Sequence, residues 1–167
     1  WRNPENLSTR SILALGFEPS KPLLVDSDFE RKAETLKNKG RVLFDDLSRD
    51  EFGPISSWFK SGRIVETEVA GKRVRVSGIV SLGPSFGADG NLITSSETYL
   101  GLSPGNPTGS IEIGLVRLKE GSDTEKVVRS LNLSLPSDVK VMSLKSFIEF
   151  EKNYWKSSTS IGFIFTL

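Results

Sequence analysis

"RIVETEVAGKRVRVSGIVSL", Arg63 to Leu82, consists of two alternating apolar and polar runs on either side of Ala70-Gly71. Side chains of a strand point alternately to opposite faces, so two such runs around a short polar break predict an antiparallel hairpin with one buried face. If Ala70 and Gly71 alone form the loop, Glu68 lies opposite Arg73 and Glu66 opposite Arg75. Val65, Thr67, Val74 and Val76 then share the other face. Alanine is a poor residue for positive φ, so a four-residue loop in the same register is an equal alternative.

Working outward from the hairpin, "SILALGF" (Ser11 to Phe17) reads as a short buried strand closed by Glu18-Pro19. Asp26 to Lys39 reads as a helix, with acids leading and Lys37 and Lys39 before the stop at Gly40. "RVLFD" (Arg41 to Asp45) is a strand, and "DLSRDEFGP" a short helix ended by Gly53-Pro54. Downstream, "NLITS" (Asn91 to Ser95) is a strand leading into a brief helix near Glu97, and "GLSPGNPTGS" is a loop.

The alternation of Ile111, Ile113 and Leu115 predicts a further, half-buried strand. Ser122 and Glu125 have capping-box spacing at the start of a helix that carries Val127, Val128 and Leu131, and "VKVM" (Val139 to Met142) reads as another strand. Residues Ile111 to Met142 are therefore expected to form a β-α-β unit. Ser146 and Glu149 have the same spacing ahead of a last helix through "FIEFEKNYW". The fold class is thus α+β, a mixed sheet with a hairpin and β-α-β units.

The last helix has nothing to break it before Leu167. It is amphipathic at Phe147 and wholly uncharged from Ile161 to Leu167, with Tyr154, Trp155 and Lys156 at the change. A membrane-spanning helix needs about 20 apolar residues, and aromatic and cationic residues stand at bilayer interfaces. The expected alternative is an amphipathic helix docked on the domain's own core. The opening "WRNPENLSTR" lacks the basic and apolar parts of a signal peptide. The chain is expected to begin, as it ends, inside a longer protein.

Composition narrows the chemistry. With 167 residues, 37% hydrophobic and 26% charged, the chain can bury the core of one domain or of two compact lobes. Its 22 basic and 21 acidic residues leave a net charge of +1, so no single-sign field exists to collect nucleic acid. There is no cysteine and no histidine, which removes thiolate nucleophiles, the usual general base and the usual soft metal ligands. Any enzyme would have to work with Ser and Lys or with carboxylates.

Several stretches resemble chemical motifs without completing them. "GPSFGADGN" (Gly83 to Asn91) is glycine-rich but lacks a P-loop's ending and a following helix, so an exposed contact loop with Phe86 at its tip is expected. Ser57 and Lys60 fit S-x-x-K, but the companion S-D-N and K-T-G do not occur. Asp26, Asp28 and Glu30 open like a calcium loop but continue with Arg31 and Lys37 where Gly and Glu are required. They read as an acidic helix start, and Asp45, Asp46, Asp50 and Glu51 as solvated acids. Lys72, Arg73 and Arg75 form a basic patch that the facing Glu66 and Glu68 are expected to neutralise. Asn6 and Asn132 lie in glycosylation triplets of the kind that occur by chance.

"FDDLSRDEFGPI" (Phe44 to Ile55), "VRVSGIVSLGPSFGADGNLITS" (Val74 to Ser95), "IEIGLVRLKEG" (Ile111 to Gly121) and "FIEFEKNYWKSSTSIGFIFTL" (Phe147 to Leu167) together resemble the DevC family of permease subunits. These belong to cyanobacterial ABC exporters, within the wider group of MacB-, LolE- and FtsX-like permeases. The resemblance covers most of the chain in the same order.

It implies a MacB-like periplasmic domain over residues 1–160, lying between two membrane helices, with 161–167 opening the second of them. It implies further a non-catalytic subunit of the inner membrane, without cofactor or metal of its own. An ABC ATPase on a separate chain would drive a permease homodimer. A periplasmic membrane-fusion adaptor would join it to a TolC-like outer-membrane channel, for export of a lipid-like cargo such as a heterocyst glycolipid. Gly83, Pro84, Phe86, Asp89 and Asn91 are then the expected partner contact, and Phe147, Phe150, Tyr154 and Trp155 the helix that couples membrane motion to the domain. The alternatives from other classes are a soluble hydrolase using Ser57 and Lys60, and a stand-alone lipid- or peptide-binding module.

Overall fold

The computed structural model describes residues 1–21, 26–83, 88–103, 105, 109 and 111–158, with side chains left aside at 155, 157 and 158. The described residues form an α+β fold of five strands and five α-helices, divided into two compact units, Trp1–Gly114 and Leu115–Leu167.

The hairpin forms with the two-residue loop. Strands β3 (Glu66–Val69) and β4 (Lys72–Val80) pair antiparallel, with Glu66 opposite Arg75, Thr67 opposite Val74 and Glu68 opposite Arg73. Ala70 and Gly71 both take positive φ, 49° and 72°. These are the angles of the tight turn whose twist matches that of paired strands. Alanine accepts them because the buried row of Val65, Thr67, Val69, Val74 and Val76 fixes the register on both sides of the turn.

Strand β2 (Arg41–Asp45) pairs parallel with β4 on one side and antiparallel with β5 (Asn91–Ser95) on the other, and β1 (Leu13–Phe17) pairs parallel with β5. The sheet order is β1-β5-β2-β4-β3, so β2 is its central strand. It is buried on both faces. Val42 and Phe44 enter a cluster with Phe52, Ile55, Val74, Val76 and Leu92, while Leu43 enters a second cluster with Phe29, Ala33, Leu36 and Ile93. The ring of Trp1 lies 5.1 Å from that of Phe44 and donates from Nε1 to the Phe52 carbonyl at 2.9 Å.

A bulge lies between Val42 and Leu43 on the β2–β4 ladder, where Val42 faces Val76 but Leu43 faces Gly78. Ser77 is the extra residue. It shifts the parity of β4, so that Val76 and Ile79, three apart, both face the first cluster and Val80 faces the second. Helix α1 (Ser27–Glu34) covers the second cluster. Asp26 caps it by accepting from the amides of Asp28 and Phe29 at 2.8 and 3.3 Å, and a 3-10 turn over Thr35–Lys37 extends it. Helix α2 (Ile55–Lys60) closes on the first cluster through Ile55, and α3 (Ser96–Leu102) through Leu102. Gly16 leaves room for α3, since a Cβ there would stand 2.5 Å from that of Tyr99.

Three expected elements differ. Ser11–Phe17 is not a buried strand: β1 begins at Leu13 and lies at the sheet edge, with Leu13 and Leu15 exposed. The β-α-β unit over Ile111–Met142 does not form among the described residues. Ile111, Ile113 and Leu115 alternate as a strand would, yet they are exposed and pair with no strand, and Val139–Met142 is irregular. Periodicity marks which residues could share a face, but a strand exists only where a partner accepts its backbone donors. Both capping boxes are also displaced, as Asp123 rather than Ser122 caps α4 (Thr124–Ser134) and Ser143 rather than Ser146 caps α5 (Leu144–Ser158).

The second unit is held by a polar staple. Asn132 of α4 donates to the carbonyls of Val128 and Val141 at 3.0 and 2.9 Å and accepts from the Val141 amide at 2.9 Å. This side chain, read in sequence as a chance glycosylation triplet, fastens the connection between the two helices.

Because Ala70 sits in a left-handed conformation that costs an L-residue about 1 kcal/mol, Ala70→Asn is expected to raise the unfolding free energy by about that amount. Denaturant titration checks it; an unchanged or lowered midpoint contradicts the turn assignment.

Candidate functional site

Asp45 is the last residue of β2 and fully buried. Its Oδ1 accepts from the amides of Leu47 and Leu82 at 3.2 and 2.8 Å, and its Oδ2 from the Gly83 amide and Asn91 Nδ2 at 3.0 and 2.7 Å. Asn91 Nδ2 also donates to the Gly83 carbonyl at 2.8 Å. One carboxylate thus gathers the end of β2, the exit from β4 and the start of β5. A buried carboxylate is tolerable only when its lone pairs are taken up, and four donors do so here. Asp45 was read in sequence as a solvated acid, and that expectation is overturned. The signal that could have found it is position: it follows the apolar run Val42, Leu43 and Phe44 of the central strand and alternates with Leu43, which is buried too.

The expected contact loop starts and ends at this clamp. Gly83, with φ of +90°, and Asn91 bind Asp45 directly. Asp89 pairs with Arg49 at 3.0 Å and Arg10 at 3.8 Å, and its carbonyl accepts from the Arg49 amide at 3.0 Å. Gly90 is buried against Phe52, whose ring a Cβ would meet at 2.6 Å. Pro84 and Phe86 lie outside the described residues.

The expected coupling residues Phe147, Phe150 and Tyr154 recur at helical spacing along α5, and all three are exposed, at 43, 49 and 53%. Leu144 and Ile148 widen the stripe, while Lys145, Glu149, Lys152 and Lys156 follow the same spacing on another face. Lys140 Nζ lies 5.2 Å from the Phe150 ring centre. Trp155 belongs to the helix, and its side chain lies outside the description. Among the described residues no helix is long and apolar enough to cross a membrane, and Ile161–Leu167 falls outside them.

The remaining chemical candidates are engaged elsewhere. Ser57 Oγ donates to the Pro54 carbonyl at 2.9 Å and Lys60 Nζ pairs with Asp46 at 3.6 Å, and no hydrogen bond joins Ser57 to Lys60. Asp28 is bound by Lys32 at 2.5 Å and by Arg31; its hydrogen bond to Lys32 holds its carboxyl below the usual carboxylate range. It serves the first turn of α1, and among the described residues no cluster of acids could hold a metal ion. The cleft of about 530 Å³ beside α1 is lined by Phe17 and Phe29 but also by Lys21, Glu30, Arg31 and Glu34, which does not single out an apolar ligand.

The basic patch is not neutralised as expected. Glu68 pairs with Arg2 at 3.1 Å instead of Arg73, and neither Glu66 nor any other described acid pairs with Arg73 or Arg75. Cross-strand register brings backbones together, but the N-terminal segment, bridged to β3 through Arg2, competes for Glu68.

No family model, curated protein or solved structure matches this chain.

Replacing Asp45 by Ala is expected to lower the unfolding free energy by about 3 kcal/mol or more, since each buried donor left without a partner costs about 1–3 kcal/mol. Asp46→Ala, which removes only the Lys60 pair and a contact with Ser81 at 2.7 Å, should cost less than about 1 kcal/mol. Hydrogen exchange at the Leu82 and Gly83 amides provides the second readout: equal protection in Asp45→Ala and the parent would contradict the clamp.

Proposed function

We propose that this chain is the MacB-like extracytoplasmic domain of a DevC-type ABC exporter permease, a non-catalytic part that passes motion of the membrane helices to a periplasmic adaptor. The observation that carries the proposal is the exposed apolar stripe Leu144, Phe147, Ile148, Phe150 and Tyr154 on α5, which ends at Ser158, shortly before the uncharged Ile161–Leu167 in sequence. A stripe of this kind left in water favours a partner surface or a bilayer boundary. A regular helix also suits coupling, because it transmits displacement without absorbing it at a hinge.

Support for the adaptor contact comes from the clamp. The backbone on both sides of residues 84–87 is fixed by the buried Asp45 and by Asp89, so whatever Phe86 touches is met by a loop with ordered ends. Ordering both ends beforehand lowers the entropy lost on binding. In this proposal the ATPase and the outer-membrane channel are separate chains, the permease works as a homodimer, and the cargo is lipid-like.

The deciding experiment expresses the whole reading frame that carries this chain in a Gram-negative cell and adds protease to spheroplasts. The domain is expected in the membrane fraction and digested from outside; a protected protein in the soluble fraction overturns the proposal. In the intact permease, Gly-Gly inserted after Lys156 is expected to uncouple export from ATP hydrolysis with expression unchanged, whereas undiminished export would contradict the lever role of α5. Phe86→Ser is expected to weaken adaptor capture at least about tenfold, as loss of a central aromatic anchor does, with no fall in melting temperature. A large fall would mean that Phe86 serves the core instead.

A further inference from the structure

Arg41 and Arg75 are direct cross-strand neighbours on the central β2–β4 ladder, both half-buried. Like charges placed opposite one another in a sheet repel and destabilise it, and a counter-ion shared between them would relieve that cost. Here none is present among the described residues. Neither guanidinium makes an ion pair or a side-chain hydrogen bond, and Glu66, opposite Arg75 on β3, lies beyond pairing distance. Nearby cations behave differently: Lys32 pairs with Asp28 at 2.5 Å, Lys37 with Glu34 at 2.6 Å and Lys39 with Glu97 at 3.1 Å. The unpaired arginines are therefore not the result of a local shortage of acids.

The two arginines line a cleft of about 350 Å³ together with Thr35, Asn38, Ser77 and Phe59. Ser77 is the bulge residue, and its hydroxyl reaches that of Thr35 at 2.7 Å. Thr35 Oγ1 donates to the Lys32 carbonyl at 2.6 Å, so Ser77 Oγ is the donor toward Thr35, with the Val42 carbonyl as a longer second acceptor at 3.4 Å. Bulges commonly re-aim a side chain toward a site. Asn38 adds an exposed side-chain amide that, among the described residues, makes one long hydrogen bond of 3.5 Å to the Thr35 carbonyl. Two planar guanidinium forks and the Asn38 amide bring N–H donors to a lining that holds no carboxylate, and Phe59 supplies an apolar wall.

We infer that this cleft is a binding site for a phosphate group, held by Arg41 and Arg75 and completed by Asn38. Guanidinium forks match tetrahedral oxyanions through paired hydrogen bonds, and a dianion would cancel the repulsion between the two arginines. Phe59 would lie against whatever the phosphate is attached to. The site does not depend on the membrane role proposed above, since every residue in it belongs to the unit that carries the sheet.

The test uses the 167-residue chain, titrated calorimetrically with inorganic phosphate against sodium chloride of equal ionic strength, and sedimented with phosphatidylglycerol or phosphatidylcholine vesicles. Phosphate is expected to bind and to raise the melting temperature where chloride does not. Arg41→Gln and Arg75→Gln should each weaken binding at least about tenfold, while Arg73→Gln, on the exposed end of β4, should not. Removing one of two repelling charges should leave the unliganded variants no less stable than the parent, and Arg75→Lys, which keeps the charge but loses the fork, should bind between the two. Arginine-dependent binding of inorganic phosphate supports a free anion as ligand; arginine-dependent binding to phosphatidylglycerol vesicles alone supports the site with a lipid headgroup as source. Binding no stronger than chloride's in both arms, or unaffected by Arg41→Gln and Arg75→Gln, overturns it.

Discussion

A single buried carboxylate holds the centre of this protein together. Asp45 closes the central strand and takes up donors from the exits of two neighbouring strands and from Asn91, so the three inner strands β5, β2 and β4 meet at one anion. Burying a charge is costly, and it persists only where its hydrogen bonds are complete. Here they are complete, and no buried side-chain polar atom among the described residues lacks a partner. The consequence is geometric: the chain must leave β4 and enter β5 at positions fixed relative to β2, and the loop between them inherits that precision at both ends.

The second constraint is the bulge at Ser77. Strand β4 needs its first half to complete the hairpin and its second half to pack against β2 across two cores, and a strict period of two cannot satisfy both. One extra residue changes the parity, placing Val74 and Val76 on one cluster and then Ile79 and Val80 on opposite ones. The same insertion turns Ser77 toward Thr35, beside the two unpaired arginines. The packing requirement and the polar cleft thus have one structural origin.

The second unit is built on different terms. Helix α4 buries none of its residues, and α5 shows its aromatic stripe to solvent. Its order comes from local hydrogen bonds, the Asn132 staple and the caps at Asp123 and Ser143, more than from an apolar core. Such a unit gains more from a partner surface than a closed domain does, which is why α5 carries the functional proposal.

The sequence by itself determined the local elements: the hairpin and its register, the strands at 41–45 and 91–95, the helix led by Asp26, and an amphipathic last helix. Each rests on a period or a cap formed by residues near one another in the chain. Only the tertiary structure decided the rest, because each remaining feature depends on a distant partner. Asp45 became buried because Leu82, Gly83 and Asn91 arrive around it. Ile111 to Leu115 failed to become a strand because no strand pairs with it among the described residues, although its alternation was as clear as the hairpin's. Arg73 of the hairpin is left without an ion pair among the described residues because Arg2, remote in sequence, pairs with the Glu68 opposite it. Periodicity reports what a segment can offer, and long-range contact settles whether the offer is taken up.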